Sequence, residues 1–122
     1  MQTPQWEHTP IQTKPKPKAN YSVKNIEVVA KGVDVQARIF TLAPGEAIPW
    51  HRHSESTDYY FVLRGTLTIN TRKPDDAHIL EIGARYKIMP GTAHLISNCG
   101  ATDCLFLLVQ GVGKYDFIKG DN

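Results

Sequence analysis

The apolar residues of this chain recur in short runs with a period near two, and none holds a period of 3.6 for three turns. Asn25–Ala30 and Val33–Leu42 are rich in β-branched residues with partial alternation, and Pro44-Gly45 interrupts them. Further short runs follow at Ile48–His53, Asp58–Leu63 and Thr66–Thr71, with Gly65 between the last two. After a turn at Lys73-Pro74-Asp75-Asp76 come His78–Ile82 and Tyr86–Met89. A second turn at Pro90-Gly91 leads to His94–Ser97, and Cys104–Gln110 precedes a tail of weaker β character. Many short strands divided by Gly, Pro and Asp predict an all-β sandwich or barrel with little helix.

Two of these runs, Tyr59–Leu63 and Leu105–Val109, are apolar at consecutive positions. One layer of a sandwich buries only one strand face, so the second face calls for cover, and a homodimer is the expectation. Residues 1–20 hold four prolines and no apolar periodicity, so they read as an extended or disordered arm ahead of a barrel over 21–122.

With 122 residues the chain has room for one core. Its net charge of +2 and 41% hydrophobic content are those of an ordinary globule. Lys14, Lys16 and Lys18 alternate with prolines as a solvated tail, and no basic strand carries spaced aromatics, so a nucleic-acid partner is not expected. No apolar run approaches the roughly 20 residues that cross a bilayer. The start Met1-Gln2-Thr3-Pro4-Gln5 lacks the pattern of a secretory signal, so no membrane partner and a cytoplasmic location are expected. Cys99 and Cys104 flank a turn and are read as reduced thiols.

Three of the five histidines stand in suggestive settings. His51 and His53, two apart in a strand, leave the same face. Asp58 opens the next strand; if it faces inward, so do Tyr60 and Val62, while Tyr59 and Phe61 face outward. His94 follows the Pro90-Gly91 turn on another strand. Three imidazoles and a carboxylate suit one divalent transition metal, among iron, manganese, nickel, zinc, copper or cobalt. Singly, each histidine reads equally as a surface residue, as do His8 and His78.

The residues Gly45-(x5)-His51-x-His53-(x4)-Asp58-(x6)-Gly65 resemble the first motif of the cupins. Gly83, Gly91, His94 and Asn98 resemble the second, with the proline displaced by one position to Pro90. The resemblance implies a jelly-roll (double-stranded β-helix) barrel of the small cupin type-2 kind. It also implies a metal held by His51, His53, Asp58 and His94 near the barrel mouth. Asp58 stands where most of the family has glutamate, one methylene longer, so direct ligation, ligation through water and a three-histidine site all remain open. One carboxylate leaves a divalent centre at about +1, which favours an anionic small-molecule ligand or metal-bound hydroxide.

Tyr60 matches a tyrosine that acts as base in the cupin lyases that cleave dimethylsulfoniopropionate; a core aromatic with a satisfied hydroxyl is the alternative. Arg38 and Arg85 are candidate cations for an anionic substrate. The function expected is a metal-dependent small-molecule enzyme, a dioxygenase with iron, nickel or copper, or an isomerase, cyclase or lyase with manganese or zinc. A non-catalytic binding or sensor module anchored by the metal is the alternative.

Overall fold

The computed structural model describes residues 21–122; the expected arm over residues 1–20 lies outside them. Ten strands follow in order. They are β1 (Asn25–Lys31), β2 (Val35–Leu42), β3 (Ala47–Arg52), β4 (Thr57–Arg64), β5 (Leu67–Thr71), β6 (Asp76–Leu80), β7 (Arg85–Ile88), β8 (His94–Ser97), β9 (Cys104–Gly111) and β10 (Ile118–Lys119). Nine of them match the runs read from the sequence to within a few residues. β10 falls in the tail read as weaker in β character, where two residues are too few to show a period.

Two five-stranded antiparallel sheets face each other, ordered β1-β2-β9-β4-β7 and β10-β3-β8-β5-β6. No helix occurs among the described residues, and none is therefore long and apolar enough to cross a membrane. This is the jelly-roll arrangement expected.

Alternation decides what each strand buries. Along β4, Asp58, Tyr60 and Val62 are buried while Tyr59 and Leu63 are exposed. Along β9, Cys104, Phe106, Leu108 and Gln110 face in, and Leu105, Leu107 and Val109 form the half-buried outer row. The core between the sheets is centred on Phe40, Leu42, Ile48, Leu67, Ile69, Ile96 and Phe106, with Phe40 and Phe106 stacked at 5.2 Å between centroids. Five inward rows change character along their length. Leu42 and Phe40 lead to Arg38, Val62 and Tyr60 to Asp58, Leu108 to Gln110, Ile96 to His94, and Ile48 to His51. One end of the barrel is thus an apolar core, and the other is a polar mouth.

Two local devices set this register. Between Ile48↔Ile96 and His51↔His94, β3 spends three residues where β8 spends two. This bulge lets Ile48 and His51 both face inward, and it accommodates Pro49, which a regular inner strand would exclude. Asn98, 1% exposed, donates through Nδ2 to Leu42 O and Thr102 O at 2.8 Å each and accepts from Gly100 N at 2.9 Å. Its place in the second motif is accounted for by this clamp.

Gly45, Gly65, Gly83 and Gly91 all have positive φ. At Gly65 (φ 74°) a Cβ would lie 2.5 Å from Asp103 O, a backbone atom. Left-handed backbone alone costs a side chain about 1–2 kcal/mol, and the clash adds to it. Gly65→Ala is therefore expected to lower the melting temperature by about 8 °C or more; a melt within 2 °C or so of the parent protein would show that the turn relaxes. Cys99 is exposed and Cys104 buried, and both are free.

Candidate metal centre

His51, on the bulged end of β3, is the direct cross-strand partner of His94 on β8. His53 follows β3 by one residue, and Asp58 comes from β4 in the opposite sheet. All four are 3% exposed or less, and their ligand atoms lie within 4.8 Å of one another. The centre therefore sits between the sheets, with three imidazoles on one wall and the carboxylate on the other.

Each imidazole is fixed from behind by a backbone carbonyl. His51 Nδ1 donates to Pro49 O at 2.7 Å, His94 Nδ1 to Thr92 O at 2.8 Å, and His53 Nδ1 to Asp116 O at 2.5 Å. With the proton held on Nδ1, each Nε2 turns a lone pair inward, which is how proteins prepare histidines for a metal. Asp58 Oδ2 lies 3.1 Å from His94 Nε2 and 3.3 Å from His53 Nε2. Donors bound to one ion at about 2.1 Å stand about 3 Å apart when adjacent and about 4 Å apart when opposed. The donor set suits a divalent metal, and the two separations at Asp58 are those of adjacent ligands. Asp58 also reaches the imidazoles despite being one methylene shorter than glutamate.

Burial and mutual charge shift the groups of this cluster in different directions. Burial pushes His51 down to about 3, helped by His94 and His53, so this imidazole is neutral near pH 7. For Asp58, burial opposes ionisation, but the imidazoles of His53 and His94 outweigh it and hold the carboxyl well below the usual range. For His53, burial lowers and the Asp58 carboxylate raises, with a net upward shift.

Asp58 has two further partners. Tyr60 donates its hydroxyl to Oδ2 at 2.8 Å. Burial, with the adjacent Asp58 carboxylate, pushes this phenol well above its ordinary value, so it keeps its proton. Gln110 donates Nε2 to Oδ1 at 3.0 Å, while its Oε1 accepts from Arg38 Nη2 and from Gln36 Nε2. Arginine can only donate and an ionised carboxylate only accept, so the amide orientation is fixed by its neighbours. Of the two candidate cations, Arg38 belongs to this network. Arg85 is exposed on β7 opposite the outward Phe61 and takes no part. His78 likewise lies away from the centre, at 3.1 Å from Asp76 Oδ2, and His8 is outside the described residues.

The segment after β9, by contrast, was read only as a tail of weaker β character, with no part in the site. Residues 112–119 cross the mouth as a strap. Phe117 stacks on His51 (4.2 Å between centroids, 11° between planes), Tyr115 lies beside His53, and Tyr21 packs on Phe117. The Asp116 carboxylate accepts from Ser54 N at 2.9 Å and from Ser54 Oγ, and β10 pairs with Arg52 and His51. Gln110 was legible in principle, as the polar end of an otherwise apolar row at 104, 106 and 108. The strap had only the aromatic pair Tyr115-x-Phe117 to announce it.

A family model for the cupin domain matches residues 38–110. The chain belongs to the cupin family. Among solved structures, a conserved Klebsiella pneumoniae protein with a double-stranded β-helix domain shares 22% identity, with a TM-score of 0.71 over 80% of this chain and 84% of that one. A cupin-2 domain protein from Shewanella frigidimarina shares 23%, with a TM-score of 0.60 over 72% and 80%. An oxalate oxidase solved with the substrate analogue glycolate shares 20%, with a TM-score of 0.64; the match covers 70% of this chain and 45% of the oxidase. At these identities the likeness is one of fold. No curated protein sequence matches the chain. His51, His53, Asp58 and His94 thus form the metal-fitting cluster of a cupin barrel.

Proposed function

We propose that this cupin is a metal-dependent enzyme acting on a small organic molecule, with one divalent ion held by His51, His53, Asp58 and His94. The observation that carries this reading is the convergence of three inward Nε2 atoms, each backed by a carbonyl, on one buried carboxylate. A bound ion supplies a Lewis acid for a carboxylate or carbonyl, or an activated water.

The protein's own groups do the rest. Tyr60 holds a proton at Oη, one hydrogen bond from Asp58, and is the group placed to deliver or recover it. Gln110 and Tyr60 orient Asp58 from two sides, while the strap with Tyr115 and Phe117 limits water at the mouth. The neutral His51 and the ionised Asp58 leave a divalent centre at about +1, which favours an anionic ligand.

A second reading, a binding or sensor module anchored by the metal, draws support from the same strap. Phe117 lies flat on His51, a cover that suits retention of a ligand as well as turnover.

Elemental analysis of protein purified without chelators or a polyhistidine tag, followed by substrate screening with the metal found, tests the proposal. About one metal per chain and a turnover that Tyr60→Phe lowers tenfold or more are expected. Metal with no turnover across carboxylate, carbonyl and catechol substrates would favour the binding module. A Tyr60→Phe variant of undiminished turnover would remove the tyrosine from the chemistry.

A further inference from the structure

The outer face of the sheet that carries Asp58 is apolar at its centre, and the strand register arranges it in rows with a symmetry of their own. One row runs across all five strands. Glu27 pairs with Ile39, Ile39 with Leu107, Leu107 with Phe61, and Phe61 with Arg85. Its two ends carry opposite charges, its middle members are apolar, and Leu107 on the central strand β9 is its midpoint. The next row is Ala30, Ala37, Val109, Tyr59 and Lys87, with Val109 at the midpoint. The alternation that buries Phe40, Tyr60 and Phe106 turns both rows away from the core. Tyr59 is 37% exposed, and Leu63, further along β4, is 46% exposed.

A row of this kind complements its own reversed copy. Two identical sheets packed face to face are related by a two-fold axis lying between them. With that axis along β9, each row meets itself end for end. Leu107 then lies on the partner's Leu107, Ile39 on the partner's Phe61, and Glu27 on the partner's Arg85. In the next row Val109 meets its own copy, and the small Ala37 faces the partner's large Tyr59. With the axis across the strands, Glu27 would instead meet the partner's Glu27 and Arg85 the partner's Arg85, and like charges oppose association. Aligned sheets cross at about 30°, which displaces the row ends by about 5 Å two strands from the axis, within reach of a glutamate and an arginine. The face also has the size a dimer needs. Five strands of four to eight residues, about 4.8 Å apart with about 3.3 Å per residue, present about 550 Å² of flat area, and side-chain relief adds to it. Stable dimers bury about 600–1000 Å² on each partner. The free edge at β1 is a poorer surface, since it carries a bulge between Val28 and Ala30 and ends on Lys31, features that discourage strand addition.

We propose that this face binds a second copy of the chain, with β2, β9 and β4 of the two copies packed about a two-fold axis along β9. Glu27 and the partner's Arg85 close the interface at both rims. The proposal goes beyond the metal reading and stands without it, but it bears on the site. β4 and β9 present Asp58, Tyr60 and Gln110 on their other face, so the partner sheet braces from behind the wall that carries the carboxylate.

Sedimentation equilibrium of the full chain tests this, with the mass found set against 13.7 kDa for one copy. The parent protein is expected to sediment as a dimer at micromolar concentration. Leu107→Asp sets two carboxylates against each other on the axis and is expected to weaken the dimer about 100-fold or more. Arg85→Glu and Glu27→Arg each place like charges at both rims and are each expected to weaken it about tenfold. The double variant restores opposite charges in exchanged places, and its affinity is expected to return to within about threefold of the parent. Glu27 and Arg85 lie on the two edge strands, about 19 Å apart within one chain, so only a contact between copies gives that rescue. The charge variants decide the matter should Leu107→Asp not fold. A monomeric parent protein would overturn the proposal and leave cover of the face to residues 1–20. A dimer indifferent to all three single substitutions would overturn it in favour of pairing at the β1 edge. Charge reversals without effect, or without rescue in the double variant, would overturn it as well, since the rows would then not meet end for end.

Discussion

Replacing His94 with alanine is expected to abolish metal binding and the stabilisation that metal brings, while leaving the barrel folded. His94 is 1% exposed, faces His51 across the strand pair, and presents Nε2 3.1 Å from Asp58 Oδ2. Losing a partner one bond further out costs a metal site about 10–100-fold in affinity, so losing a donor is expected to cost more than about 100-fold. The fold has less at stake. The apolar core, with Leu42, Leu67, Ile69, Ile96 and Phe106, lies toward the other end of the barrel.

A ligand at a hundred times its dissociation constant stabilises the state it binds by about 2.7 kcal/mol. For a domain near this size that is about 10–20 °C in melting temperature. Thermal melts with and without zinc should therefore show a rise of that order in the parent protein and none in His94→Ala. Equal rises in both would place the metal elsewhere.

Asp58→Asn separates the two things a buried carboxylate does. In the metal-free protein the charge sits in a dry site at 0% exposure, held by imidazoles, Tyr60 and Gln110. The partners that hold Asp58 below the usual carboxylate range favour its ionised form in the folded protein, so its charge contributes to stability near neutral pH, and removing one member of a buried charged network leaves the others uncompensated. The metal-free Asn variant is therefore expected to melt below the parent temperature. Metal binding is expected to suffer as well. The variant offers a neutral oxygen and leaves a divalent ion uncompensated, so zinc affinity is expected to fall by about 100-fold or more. Calorimetric titration with zinc checks this. Unchanged affinity would mean that the three histidines hold the metal and that Asp58 serves only Gln110 and Tyr60.

These outcomes turn on features of unequal legibility. The period-two rows place Asp58, Tyr60 and Val62 on one face of β4, and the pair His51-x-His53 needs only the same rule. The spacing of the two glycine frames carries the resemblance to the family, and with it His94. The bulge at Pro49 is harder to read, because a proline inside a strand signals irregularity without saying which side chains it turns inward. What converges from distant parts of the chain is harder still. Gln110 meets Asp58 only through the pairing of β4 with β9, and Arg38 meets Gln110 only through the pairing of β2 with β9. Neither contact has a local signature. The strap is held by single contacts, Phe117 on His51 and Asp116 on His53, rather than by a repeating pattern, so periodicity had nothing to register. Reach was the remaining question at Asp58. A one-methylene deficit is settled by where β4 stands against β3 and β8, which only the packed sheets determine.

The most direct test of the central claim is the position of a metal in a crystal of the unmodified protein grown with zinc, located by its anomalous scattering. The account predicts one strong peak between the sheets, about 2.0–2.2 Å from the Nε2 atoms of His51, His53 and His94 and from Asp58 Oδ2. A site without zinc, or zinc bound only at exposed groups such as His78 and Cys99, would contradict it.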